Sequence, residues 1–167
     1  MCIRDRFLIS HATVPILPTI RSRCQTLRLR PLSHEETRAA LEASGTEAGE
    51  AIVNLVKGRP GRAEELGHAS VLAAASSAQT LLKSLPSAND AQLSQAISSA
   101  AEDEGAFHAF ADEVLDWLGS EAEADPSWST LWFESQQIIA AQRNLHMPPI
   151  QAAAKLVTSL QNGFASR

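Results

Sequence analysis

From Pro31 onward every start and stop signal in this sequence belongs to a helix, and that succession constrains the fold more than any single motif. Ser33, followed three residues later by Glu36, is a capping box: hydroxyl and carboxylate each satisfy a backbone N–H that a first turn would leave unpaired. A helix is therefore expected over residues 34–43, with Ser44-Gly45 stopping it. Thr46 is the expected cap of a second helix, in which Ala51, Ile52, Leu55 and Val56 form the apolar stripe and Gly58 is the terminator. Arg59-Pro60-Gly61-Arg62 reads as a tight turn opening a third helix to about residue 66, and Gly67 separates it from an Ala-rich helix over 70–84. Leu85-Pro86-Ser87 is the expected linker.

Four further helices are expected beyond that linker. The first spans 89–102, with Leu93 and Ile97 inward. The second spans 104–119, with Phe107, Phe110, Ala111, Val114, Leu115 and Leu118 at helical spacing. Asp125 and Pro126 open the third, which carries Trp128, Leu131, Trp132, Ile138, Ile139 and Leu145 along one side. The last runs from Pro149 to about residue 164, with Ile150, Leu156, Val157 and Leu160 apolar. The aromatic positions of this half are expected to be core and not a ligand site.

Before Pro31 the pattern changes. Phe7-Leu8-Ile9-Ser10 is a short apolar run of the kind found in a strand buried on both faces. Prolines at 15 and 18 break regular structure, and a short helix is expected over 18–23 with Pro18 in its first turn. Gln25 to Arg30 alternates, so a strand there would put Leu27 and Leu29 on one face and Thr26, Arg28 and Arg30 on the other. A doubly buried strand belongs inside a sheet, yet one other strand follows it. The chain is accordingly expected to be the C-terminal part of something longer.

Composition narrows the function classes. Over the 167 residues, 44% are hydrophobic and 20% charged, the balance of an ordinary soluble globular protein. Cys2 and Cys24 are the two cysteines, with no CxxC pair, which points to a reducing compartment. Arg4, Asp5 and Arg6 sit where a secretory signal would need its apolar core, and no uncharged run is apolar enough to span a bilayer, so a cytoplasmic location is expected. The net charge of −5 conceals an asymmetry: residues 1–62 hold ten Lys and Arg against six Asp and Glu, and the remainder four against thirteen. An acidic C-terminal half argues against direct nucleic-acid binding there. The basic cluster over 21–30 is either a solvated face or a polyanion contact. No phosphate-binding loop, GxSxG, HExxH or dinucleotide fingerprint occurs. Histidines 11, 34, 68, 108 and 146 are scattered without metal spacing, and Glu102-Asp103-Glu104 reads as a solvated turn.

The stretch from Leu17 to Cys24, LPTIRSRC, lies between the two expected strands and is followed by Pro31-Leu32-Ser33-His34-Glu35-Glu36. With Phe7-Leu8-Ile9-Ser10 ahead of it, this order resembles the clamp-loader branch of the AAA+ ATPases. Ser22-Arg23-Cys24 looks like that family's SRC motif, whose arginine reaches across a subunit boundary to the gamma-phosphate of ATP on a neighbour. The resemblance implies a mostly α chain in three parts. Residues 1–31 would be a two-stranded remnant of the AAA+ α/β domain, 32–72 a three-helix lid, and 73–167 a helical-bundle collar. It further implies Arg23 as an arginine finger in trans supported by Ser22, Cys24 and Arg21, with Ser10 and His11 at the sensor-1 strand and Arg62 at the sensor-2 turn. The nucleotide-binding core would precede Phe7. No cofactor or metal would be bound by this chain, ATP being held by the neighbour. Partners would be the family's gamma/tau and delta subunits in a ring closed by the collar, with the sliding clamp and primed DNA reached through the complex. The chain would have no catalytic activity of its own within a DNA-directed DNA polymerase holoenzyme, a nucleotidyltransferase assembly. Two other readings stay open: a piece of the gamma/tau ATPase subunit itself, and a non-enzymatic helical adaptor.

Overall fold

Two kinds of sequence signal, caps and alternation, meet different fates in the structure, a computed structural model that describes residues 8–9, 16–46 and 49–165. The caps become helices. Among the described residues there is no strand. The chain divides into two units, Met1–Arg30 and Pro31–Arg167.

In the first unit the only regular element among the described residues is α1 (Pro18–Arg21). The two strands expected there are not observed. Leu8 and Ile9 have no regular structure and are exposed, while Phe7 and Ser10 lie outside the described residues. Residues 25–30 are likewise irregular, with Leu27 82% and Leu29 86% exposed. Alternation supplies only half of a strand. The other half is a partner that takes up the backbone N–H and C=O groups and covers the apolar face, and no strand forms among the described residues of this segment, whose leucines stay exposed.

The second unit contains α2 (His34–Ala43), α3 (Glu50–Val56), α4 (Ala63–Leu66), α5 (Ala69–Ser84), α6 (Asp90–Ala100), α7 (Glu104–Ala124), α8 (Ser129–Leu145) and α9 (Pro149–Ala165), with 3₁₀ turns at Pro60–Arg62 and Pro126–Trp128. The Ser33 capping box is present in both directions: the Ser33 N–H donates to Glu36 Oε2 at 2.8 Å and the Glu36 N–H to Ser33 Oγ at 3.3 Å. Asn89 and Gln92 form a second such box at the head of α6. Asp103 caps α7 by accepting from the Ala106 N–H at 2.8 Å. Hydrogen bonds from Ser70, Ala106 and Gly105 hold the Asp103 carboxyl below its ordinary value, because each favours the charged form.

Two boundaries differ from expectation. Thr46 does not open α3, whose N-cap is Gly49. It closes α2 instead: the Thr46 N–H donates to Leu41 O and the Gly45 N–H to Glu42 O, both at 3.0 Å, with Gly45 at φ +77°. This is a Schellman ending, which uses the residue after the glycine to satisfy a helix carbonyl. Helix α7 runs five residues beyond Gly119, because one glycine costs a helix only about 1 kcal/mol and good helix formers follow it.

Helices α5 to α9 enclose the larger core, in which Phe107, Phe110, Val114, Leu118, Leu156 and Leu160 have essentially no exposed surface. Trp117, Trp128 and Phe164 meet at its edge with ring centroids 5.0–5.5 Å apart. Gly163 lets α9 close on α8: a Cβ there would stand 2.6 Å from Leu131 Cδ2. Leu85 belongs to the same core, so the expected linker is a tight turn within this unit, closed by a bond from the Ser87 N–H to Ser84 O. Leu145 and Ile150, expected on apolar stripes, are 75% and 57% exposed. A smaller core joins Leu41, Val53, Leu55, Val56, Ala63 and Leu66 with Val71 and Ala75 of α5 and Ala109 of α7. No helix among the described residues is long and apolar enough to cross a membrane.

Candidate functional site

The turn that carries Arg23 is built by local bonds alone. Leu17 is extended at the N-cap, and Pro18 brings a fixed φ to the first helical position. The Ile20 and Arg21 N–H groups donate to Leu17 O at 2.9 and 3.1 Å, and the Ser22 N–H to Pro18 O at 2.9 Å. The Arg23 N–H then donates to Ile20 O at 3.0 Å and the Cys24 N–H to Arg21 O at 3.4 Å, so the helix unwinds through two successive turns. Ser22 Oγ donates to Thr19 O at 3.3 Å. Arg21, Ser22, Arg23 and Cys24 are thus gathered on one hydrogen-bonded turn, and all four are exposed. Ser10 and His11 lie outside the described residues. A guanidinium on such a turn can offer a planar fork of donors to an oxyanion brought to it, with its charge kept at any working pH.

Arg62 lies in the other unit, at the end of a second turn. Helix α3 stops because Lys57 (φ +48°) and Gly58 (φ +74°) are both left-handed. Gly58 has a further reason to be glycine. Its carbonyl accepts from the Leu32 N–H at 3.0 Å, and a Cβ would sit 2.4 Å from Leu32 O. The chain then enters the 3₁₀ turn at Pro60, which delivers Arg62 towards α7.

Three carboxylates of α7 receive this turn. Lys57 Nζ lies 2.9 Å from Glu113 Oε2 and 3.3 Å from Asp116 Oδ2. The Arg62 guanidinium stands 3.7 Å from Asp112, 3.8 Å from Glu113 and 3.9 Å from Asp116, with its side chain 15% exposed. Glu113 is 2% exposed; its Oε2 also accepts from Gln79 Nε2 at 3.0 Å, while its Oε1 has no hydrogen-bond partner. Partial desolvation against α7's neighbours holds the Asp112 carboxyl somewhat above its ordinary value even though its side chain is 61% exposed; Arg62 opposes the rise and Asp116 adds to it. A groove of about 810 Å³ opens beside the cluster, lined by Lys57, Arg59, Lys83, Glu113, Trp117 and Trp132 among others. Guanidinium and ammonium here offset part of the negative charge of α7.

Sequence reasoning did not find this cluster. The signal was present: Glu113 falls in the stripe of Ala109, Phe110 and Trp117, three or four residues from each, where an unpaired charge would be expensive. A carboxylate at such a position needs a cation from another element. Among the described residues no group of three or more His, Cys, Asp or Glu is placed to hold a metal ion. Comparison with family models, with curated proteins and with solved structures found no match to this chain.

Proposed function

We propose that this chain carries the finger, lid and collar regions of a clamp-loader subunit of the delta-prime type, as found in bacterial DNA polymerase III. Its role is to complete an ATP site on a neighbouring gamma/tau subunit by presenting Arg23 to the gamma-phosphate, and to help place a sliding clamp on primed DNA. The observation that carries this reading is the order Leu17-Pro18-Thr19-Ile20-Arg21-Ser22-Arg23-Cys24 and its geometry. Pro18 opens a single helical turn, and Arg23 leaves it in solvent on a bonded turn. The capping box at Ser33–Glu36, which follows at the resembling distance, supports the same reading. The chemistry is electrostatic: a transferring phosphoryl group spreads charge over its oxygens, and an arginine supplied in trans stabilises that charge without taking a proton. In this reading the chain neither binds nor hydrolyses ATP by itself, and Arg62, already set among α7 carboxylates, has no nucleotide to serve.

The test is Arg23→Ala in the intact subunit, reconstituted with its ATP-binding neighbours. DNA-stimulated ATPase should fall while the complex still assembles, with Arg21→Ala retaining most of the activity. Normal turnover in the Arg23 variant would overturn the finger assignment. The full chain should co-purify with gamma/tau collars, and failure to associate would remove the collar part. One observation favours a second reading, a helical adaptor: residues 31–167 build both cores without residues 16–30. An adaptor would leave a partner's ATPase untouched by either arginine substitution.

A further inference from the structure

The smaller core and the charge cluster together describe a joint. Residues 34–66 bring their own apolar centre, made of Leu41, Val53, Leu55, Val56, Ala63 and Leu66. On the bundle side it meets Val71, Ala75 and the partly buried Leu72 of α5 and Ala109 of α7, fewer apolar side chains than its own six. The bond from the Leu32 N–H to Gly58 O ties the chain ahead of α2 to the same body. Its covalent tether to the bundle is the two-residue step Gly67-His68, whose N–H groups make long bonds to Glu64 O and Glu65 O, at 3.3 and 3.4 Å. Beside this apolar contact the joint is spanned by charge: Lys57 and Arg62 on the body, Asp112, Glu113 and Asp116 on α7, with Gln79 of α5 beside them. Bringing such groups out of water offsets most of their mutual attraction. Glu113 Oε1 is buried there without a donor, which further lowers the advantage of the closed arrangement.

We propose that this cluster is a releasable clasp, from which residues 32–66 come away from α7 as one body, turning at Gly67-His68, while α5 to α9 stay folded. Closed, the clasp consumes the charges of Lys57 and Arg62. Open, it presents both to solvent and uncovers the Glu113 carboxylate. The motion is a sub-global opening that lies below global unfolding in free energy.

Amide hydrogen exchange on the full chain, read by peptide mass, tests this. Lys57→Glu sets a like charge against buried Glu113. Peptides from 34–66 should then exchange on the order of tenfold faster or more, while those from α6 and α9 keep wild-type rates. Arg62→Gln should act in the same direction but more weakly. An acceleration shared equally by α6 and α9 would show that the joint does not open on its own and would overturn the clasp. So would unchanged exchange over 34–66 in both single variants.

Discussion

The turns at 17–24 and 57–62 are built from similar parts and leave their arginines in opposite surroundings. Each places a proline at the start of a helical turn, Pro18 in one and Pro60 in the other, and each sends an arginine off its end. Arg23 stays in solvent. Arg62 lies within 4 Å of three carboxylates on a helix fifty residues further along the sequence. Local backbone geometry therefore aims a guanidinium but does not decide whether it is available. What packs against the turn decides that: α7 presents acids to the second turn, while the side chains of residues 16–30 are exposed.

The largest expected difference between the two turns is catalytic. On the proposed reading, Arg23→Ala in a reconstituted clamp loader should lower DNA-stimulated ATPase on the order of a thousandfold, the lower end of what an arginine supplied in trans contributes. Its thermal midpoint should not move, because the side chain is exposed. Arg62→Ala should do the reverse, and equal ATPase losses in both variants would erase the contrast drawn here.

A smaller effect concerns the cation beside Arg62. Lys57→Ala leaves Glu113 buried with no ammonium, and chemical denaturation should show a loss of about 3 kcal/mol. The double variant Lys57→Met with Glu113→Leu should come within about 1 kcal/mol of wild type, since the pair's desolvation is removed along with its attraction. Smaller again is the pair of glycines in the second turn. Gly58→Ala meets both a left-handed φ and the Leu32 backbone, and should cost about 2 kcal/mol or more. Gly61, with open space where a Cβ would go, should accept Ala within about 0.5 kcal/mol.

The smallest effect is a pH dependence around Arg62. The folded state raises the Asp112 carboxyl above its ordinary value of 3.8, so the folded chain holds that proton more tightly than the unfolded one. Asp112 therefore opposes stability fully above the raised value, and the penalty disappears as pH falls below the ordinary one. Asp112→Asn should melt slightly higher than wild type at pH 7, with the difference closing toward pH 3. A lower midpoint at pH 7 would show that the Arg62 attraction outweighs burial.

Helix ends were legible in the sequence because their causes lie within three or four residues. Ser33 with Glu36 holds its own first turn, as read from the sequence; Asn89 with Gln92 and Asp103 do the same at α6 and α7, though they were not named as caps from the sequence. Thr46 was misread because its side chain resembles a cap, while its backbone N–H is what the end of α2 uses. The strands were misread for a different reason. The alternation of Gln25 to Arg30 states which face would be buried, yet not what would bury it. The bonded turn around Ser22 and Arg23 was legible as a proline-opened turn, whereas the acids that receive Arg62 were not. Asp112, Glu113 and Asp116 lie on one turn of α7, but their cations come from residues more than forty positions away.

The exposed segment at 25–30 has a practical consequence for anyone who handles this chain. Leu27 and Leu29 alternate with Arg28 and Arg30 along an exposed, irregular segment, so the run that invites a foreign strand also carries the charges that repel a copy of itself. Salt weakens that repulsion and strengthens apolar association. Colloidal behaviour should thus worsen as ionic strength rises, and low-salt buffers are the better starting point for keeping the protein dispersed.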